Sequence, residues 1–344
     1  MTRDVCIVGA GAAGAGAAYA LRDSNATVTI LEKSRGVCGR AATRRKNGCL
    51  YDHGANYVKE YDHRTERLIR SLGEDGLVDI DEPIWTFDAD GVVSAGDDRD
   101  QYKWTWTEGI TQLAKRLLDE TDATVERQTK VSAIDHNPDT KYWSVVDSEG
   151  ARHGPYDDVV LTPPAPQTAS LLTEMGWGDH CMMSLREAIG SVEYRTIRSV
   201  MLHYPFELDT PWYALVNTDK EHDVGWLARE ECKDGHVPDG ESLLVVQLSP
   251  EWSAAHYDDP LDEVADVVAD KVATLVDDER LRDPDWVDDQ GWRYALPDGV
   301  ANREVIRRGE PDGLYFAGDW TVGEGRVHAA LWSGIEAGER ICSR

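Results

Sequence analysis

Gly9, Gly11 and Gly14 stand at G-x-G-x-x-G spacing within VCIVGAGAAGAGAAYALRD, and Glu32 follows 18 residues after the last of them. The apolar run before these glycines reads as a buried strand, and the Ala/Gly-rich stretch after them as a helix able to pack close to a sheet. In that setting the first glycine turns tightly and the second lets a pyrophosphate approach the backbone. The third lets helix and strand pack closely, with the helix N-terminus facing the anion. Glu32 ends the next strand, TVTILE, where a carboxylate can accept hydrogen bonds from ribose hydroxyls. The chemistry is dinucleotide binding, and these residues alone leave NAD and FAD both open.

Two further stretches bear on that choice. A simple NAD-binding unit would continue from Glu32 into another helix and strand. Here the chain enters KSRGVCGRAATRR, where Lys33, Arg35, Arg40, Arg44 and Arg45 fall within thirteen positions. In so acidic a chain this local concentration is expected to meet an anion, with Arg40, after Gly39, reaching a diphosphate bidentately. Near the other end, GLYFAGDW reads as a strand closing on Gly318 and Asp319, followed by a glycine-rich turn and a helix from about Val327. Gly318 permits close backbone approach, and Asp319 can bind a sugar-alcohol hydroxyl. The helix N-terminus beyond Arg326 directs partial positive charge outward. A flavin gains negative charge at its N1/C2=O edge on reduction and suits that place; NAD has no group there.

The elements needed to position these residues read as an α/β chain. Beyond Tyr57 the pattern predicts a helix over 63–73, a hairpin over 84–94 and an amphipathic helix over 107–120. Strands follow at about 123–127, 130–136, 141–146 and in DDVVL, before prolines at 163, 164 and 166 switch the chain's course. Residues 168–305 are Trp-rich and more strand-like, with a helix over 261–276. The expected architecture is a Rossmann-type FAD-binding domain assembled from 1–60, 105–165 and 306–344. A mixed α+β substrate domain is inserted as 61–104 and 166–305.

Composition narrows the function classes. The chain of 344 residues carries 64 acidic against 36 basic residues, a formal charge of −28. Ten of the basic residues are Lys and 26 are Arg. Acid is spread throughout, as in Asp97-Asp98-Arg99-Asp100, Asp157-Asp158 and Asp277-Asp278-Glu279. Such a surface repels nucleic acid and anionic membranes, and its evenness and Lys shortage read as adaptation to high salt. No run approaches the roughly 18 apolar residues of a membrane span. The glycine motif opens too early to leave room for a signal peptide, so a soluble cytoplasmic protein is expected. Cys6, Cys38, Cys49, Cys181, Cys232 and Cys342 show neither C-x-x-C nor regular spacing, and no metal site is expected.

Together EKSRGVCGR, YDHGANY, HGPYDDVVLTPPAPQ, GWLAR, WRYA and GLYFAGDW…GRVHAALWSG resemble the flavin-dependent amine oxidase superfamily. Within it they are most similar to renalase and its bacterial relatives. The resemblance runs from residue 5 to the C-terminal helix and is weakest over about 60–105. It implies a noncovalent FAD contacted by Gly9, Gly11, Ala13, Gly14, Glu32, Lys33, Gly39, Arg40, Asn56, Tyr57, Val131, Gly318, Asp319, Arg326 and Val327. It also implies Tyr57, Arg229, Gln247, Trp292 and His328 as substrate-facing positions, with no certain catalytic residue because the flavin carries the chemistry. The implied reaction is oxidation of a small molecule, an isomeric dihydro-nicotinamide dinucleotide, with O2 as acceptor. Cys38 and Asn56 depart from the family's Gly and Gln, Gln247 stands where renalases carry His, and His328 replaces a family Glu. Arg326 takes the place where amine oxidases commonly have an aromatic residue. An amine oxidase is the second reading, a slow flavin redox sensor the third and an isoprenoid desaturase the fourth. Oligomeric state is left open.

Overall fold

The apolar run ahead of the glycines forms β1 (Arg3–Val8), whose Val5, Cys6 and Ile7 are fully buried. Such a strand needs neighbours on both edges. It pairs in parallel with β2 (Ala26–Glu32) on one side and with Asp158–Leu161 on the other. Thr124–Arg127 extends the sheet beyond β2, and Leu314–Phe316 extends it beyond Asp158–Leu161, again in parallel. The chain leaves β1 for β2 on one side and fills the other side more than a hundred residues later. Strand order therefore reverses beside the carboxyl end of β1, where open α/β sheets bind their ligands. The computed structural model behind this description covers residues 2–96, 101–172 and 179–344. The acidic run at 97–100 and the Cys181 side chain lie outside the described residues.

Helix α1 (Ala12–Leu21) leaves β1, and the closing helix Val327–Cys342 follows Leu314–Phe316. They pack at backbone distance. A Cβ on Gly334 would collide with the Ala13 carbonyl oxygen, and one on Gly338 would lie 2.7 Å from that of Ala17. Ala13 beside Gly334 and Ala17 beside Gly338 make the helices parallel, so both N-termini lie at the same edge of the sheet. Three antiparallel strands, Val131–His136, Trp143–Asp147 and Arg152–Tyr156, and the helices Ala165–Leu171 and Asp179–Gly190 complete this unit.

The chain divides into two compact units, Met1–Gly39, Leu113–Tyr194 and Leu296–Arg344 in one and Arg40–Gln112 with Arg195–Ala295 in the other. These bounds differ from the expected domains. Residues 40–60 join the second unit because their hairpin, Thr43–Lys46 with Cys49–Asp52, bonds there through Leu50 N to His236 O. Residues 166–194 join the first because Ala169, Leu171, Leu185 and Ile189 share its core with Val159 and Leu161.

The second unit is built on a seven-stranded sheet. Its order is Trp286–Pro297, Tyr194–Tyr204, Ser242–Leu248, Val224–Arg229, Ala214–Asn217, Ile84–Phe87 and Val93–Ser94. Alternate residues of Tyr194–Tyr204 and Ser242–Leu248 (Val200, Leu202, Leu244, Val246) meet Val264, Val268 and Val272 of the helix Leu261–Val276. That match of period two to period 3.6 is what the sequence pattern demands of a sheet covered by one helix. Among the described residues no helix is long and apolar enough to cross a membrane.

Candidate active site

In the first unit the three glycines separate into distinct jobs. Gly9 has φ +98°, and a Cβ there would lie 2.7 Å from Thr162 Oγ1. A Cβ on Gly14 would run into the Gly9 carbonyl oxygen, so Gly14 is required by the fold itself. Gly11 differs. It is extended at φ −72°, caps α1 without a side-chain bond, and a Cβ on it would meet nothing within 4 Å. Open space thus faces the first N–H groups of α1, a ready-made cradle for a phosphate.

Glu32 is buried and acts on the loop as well. Its Oε2 accepts from Ala10 N at 2.7 Å and its Oε1 from Ser34 N at 2.7 Å. Each oxygen keeps a further lone pair able to receive a ribose hydroxyl. Cys38 N donates to Ala10 O at 2.8 Å, so the 33–39 loop folds back onto the glycine loop. Cys38 adopts φ +77° and Gly39 φ +57°. The cysteine thus keeps the left-handed backbone that glycine prefers, at a cost of about 1–2 kcal/mol. Lys33 and Gly39 are exposed, while Ala13 is buried and Val131 half-buried.

At the far end of the sheet Gly318 has φ +143°, and its N–H donates to Ser333 Oγ at 2.8 Å. Asp319 is buried, with Oδ1 accepting from Trp320 N at 3.0 Å. Arg326 caps the closing helix through an extended backbone, with no side-chain capping bond and an exposed guanidinium. Val327 is half-buried. His328 is buried in the first helical turn, its Nε2 3.5 Å from Glu324 Oε1. Two long helices therefore present N-termini free of side-chain caps at one sheet edge, beside an open glycine loop. The residues present fit an FAD, which carries anionic groups able to meet both.

The second unit gathers another group around Gly54. Gln247 Nε2 donates to Gly54 O at 2.6 Å, Trp292 Nε1 donates to His53 O at 3.1 Å, and Ala55 N bonds Arg40 O at 3.0 Å. Asn56 is buried, its Nδ2 donating to Asp52 O at 2.7 Å. Arg40 Nη1 donates to the carbonyls of Ala295 at 2.8 Å and Tyr294 at 3.4 Å. Tyr57 is half-buried in an aromatic group, 6.3 Å between ring centroids from both Tyr213 and Trp226. Arg40, Gln247 and Trp292 thus bond the backbone of the 53–55 stretch beside Asn56 and Tyr57, and one arm of the Arg40 guanidinium is taken by protein carbonyls.

Two expectations are corrected. Arg229 does not face an open site. Its guanidinium is buried and donates to Glu231 Oε1, to Thr210 O and Oγ1, and to the carbonyls of Trp212 and Leu208. Arg44 and Arg45 also find partners inside their unit. Arg44 pairs with Asp288 at 2.6 Å and Gln290, and Arg45 donates to Glu108 O. Part of the basic cluster is consumed by protein acceptors.

Beneath the 52–57 segment lies a network that spacing does not announce. Asp52, Glu230, Lys233 and His236 are all fully buried. Lys233 Nζ donates to Glu230 Oε1 at 2.6 Å and Asp52 Oδ2 at 3.1 Å. His236 presents Nδ1 to Glu230 Oε2 at 2.9 Å and Nε2 to Trp106 O at 3.0 Å. Lys233 and His236 thus set nitrogen groups against the Asp52 and Glu230 carboxylates, the pairing that burial requires of charged groups. Burial raises the Asp52 pKa, but Lys233 and His236 together hold it below the usual carboxylate value. Thr43, Thr105 and Ile110 N donate to its remaining lone pairs.

Fold and loop define a dinucleotide-binding α/β protein. Residues 7–72 match the NAD(P)-binding Rossmann-like domain, and residues 79–342 match the flavin containing amine oxidoreductase family. A 69-residue stretch is 36% identical to protoporphyrinogen oxidase 2, chloroplastic/mitochondrial, of Arabidopsis thaliana, covering 20% of this chain and 14% of that protein. The chain thus aligns with far less than two thirds of that relative. Wild-type putrescine oxidase bound to putrescine superposes with a TM-score of 0.76 at 14% identity, covering 100% of both chains. Cyclohexylamine oxidase from Brevibacterium oxydans IH-35A gives 0.75 at 15% identity over 99% of each chain. These two likenesses concern the fold. The chain belongs to the flavin containing amine oxidoreductase family.

Proposed function

We propose that this chain is an oxidase of the renalase type, taking hydride from isomeric dihydro-NAD(P) through a noncovalent FAD, in the cytoplasm. The observation that carries the reading is Arg326. A cation at the uncapped N-terminus of the closing helix suits a pyrophosphate-bearing substrate and opposes a cationic amine. Gly9, Gly11 and Gly14 with the start of α1, including Ala13, would hold the cofactor's diphosphate, and Glu32 its ribose. Lys33, Gly39, Val131, Gly318, Asp319, Arg326 and Val327 of the same unit would add further contacts, and Arg40, Asn56 and Tyr57 are the cofactor-binding candidates of the second unit. When bound, FAD supplies hydride acceptance and electron delivery to O2, so that dihydro-NAD(P), a proton and O2 give NAD(P)+ and H2O2. The chain's own part is orientation. In the second unit Trp292 and Tyr57 would offer flat apolar faces to a nicotinamide and Gln247 a carboxamide that cannot titrate, and His328 of the first unit is a further substrate-facing candidate.

Anaerobic mixing of the purified protein, in high salt, with isomeric dihydro-NAD(P) tests this directly. Rapid bleaching of the flavin absorbance, restored by air, is expected. A flavin that stays oxidised overturns the proposal. The second reading, an amine oxidase, draws support from Tyr57 and Trp226, half-buried rings 6.3 Å apart whose faces can meet an ammonium. Bleaching by a diamine instead of the dinucleotide would establish it.

A further inference from the structure

Cys49, His203 and Glu241 are far apart in the chain but meet on three elements of the second unit. Cys49 opens the second strand of the 43–52 hairpin, His203 lies on Tyr194–Tyr204, and Glu241 immediately precedes Ser242–Leu248. A thiol sulfur, a ring nitrogen and a carboxylate oxygen from the three lie within 4.8 Å of one another. Cys49 and His203 are buried, whereas Glu241 is half-exposed and opens the group to solvent. The imidazole lies between two carboxylates: its Nε2 is 2.9 Å from Glu241 Oε2, and its Nδ1, 3.5 Å from Asp285 Oδ2, is buried with no hydrogen-bond partner among the described residues. Trp286 stacks on it at 4.9 Å and 10°, fixing the ring plane.

We propose that Cys49, His203 and Glu241 form a site for a thiolate-accepting divalent ion of the zinc class, with Asp285 orienting the histidine. One sulfur, one nitrogen and one carboxylate make the three-ligand set that leaves a fourth tetrahedral position to water. Asp285 is placed to accept from Nδ1 when the other ring nitrogen takes the metal, the arrangement usual behind a ligating histidine. Ligand separations around a tetrahedral ion are shorter than 4.8 Å, and the half-exposed Glu241 is the arm able to close in. Without metal the thiol stays protonated, because burial and then Glu241 and Glu231 push it up to about 11. Its proton leaves as the ion binds. The inference is independent of the redox reading above.

The test uses the full flavin-loaded protein, stripped with a chelator, exposed to zinc sulfate under reducing conditions and then dialysed. Zinc analysis is expected to give one ion per chain, and X-ray absorption one sulfur at about 2.3 Å. The sulfur shell should vanish in Cys49→Ser. Asp285→Asn should weaken zinc binding about 10- to 100-fold and Glu241→Gln at least as much. Both carboxylates are solvent-accessible, so these variants are expected to fold. Dialysed wild-type protein without zinc, or with zinc bound only through nitrogen and oxygen, overturns the proposal. Retention of the sulfur shell in Cys49→Ser does so too.

Discussion

At the scale of single residues, the glycine loop yields a discriminating pair of substitutions. A Cβ on Gly11 meets no protein atom, whereas one on Gly14 strikes the Gly9 carbonyl. Gly11→Val should therefore fold normally, with a circular dichroism spectrum unchanged from wild type, yet be purified colourless. Gly14→Ala should lose both flavin and stability. A yellow Gly11→Val protein of undiminished affinity would show that the open space is not the diphosphate's. His53 supplies a second test. Burial, then the charge of Arg44, lowers its pKa from 6.5 to about 4. The unfolded chain then binds the proton more readily, so stability is full above pH 6.5 and declines as pH falls toward 4. The loss over that window is about 3 kcal/mol. Urea midpoints at pH 7 and 4.5 should reveal it, and His53→Gln should flatten it. The glycines and Glu32 were legible because their spacing is a backbone requirement. Arg229 was not, because sequence alone does not distinguish an arginine reaching outward from one saturated by the carbonyls of a nearby segment, here 208–212.

At the scale of elements, the 52–57 segment depends on the charges beneath it. Lys233 holds two buried carboxylates apart, and Asp52 in turn anchors Asn56 through its carbonyl. Lys233→Met leaves an excess anion in a fully enclosed site and should cost about 3–5 kcal/mol in urea denaturation. Removing one charge of each sign, in Glu230→Gln with Lys233→Met, should cost less than the single change. An equal or greater loss would mean that packing around Lys233, not charge, is what matters. The strands and helices around this network follow the periodicity closely, from the hairpin at 84–94 to the helix Leu261–Val276. The network itself is not legible in the sequence because its members come from two distant stretches, Asp52 and the 230–236 turn, with no repeat or motif. Only pairing of the hairpin Cys49–Asp52 with the 230–236 turn brings them together.

At the scale of the molecule, charge dominates. Asp262, Asp266 and Asp270 stand one helical turn apart on the exposed face of Leu261–Val276, an arrangement that repels at low ionic strength. Multiplied over a formal charge of −28, such repulsion should weaken as the screening length falls from about 10 Å at 0.1 M salt to about 3 Å at 1 M. Raising KCl across that range should lift the thermal midpoint by roughly 5 °C or more. A midpoint indifferent to KCl would remove the case for salt adaptation.

The position of β1 has a consequence for biosynthesis. Its neighbour Asp158–Leu161 leaves the ribosome some 150 residues later, and the closing helix that covers α1 comes last of all. At about 5–20 residues per second, this buried strand waits tens of seconds for its later cover. Parallel pairing cannot be completed locally in the meantime. A nascent chain of this topology therefore carries an unpaired apolar strand edge through most of its synthesis, the kind of surface that invites association before folding is complete.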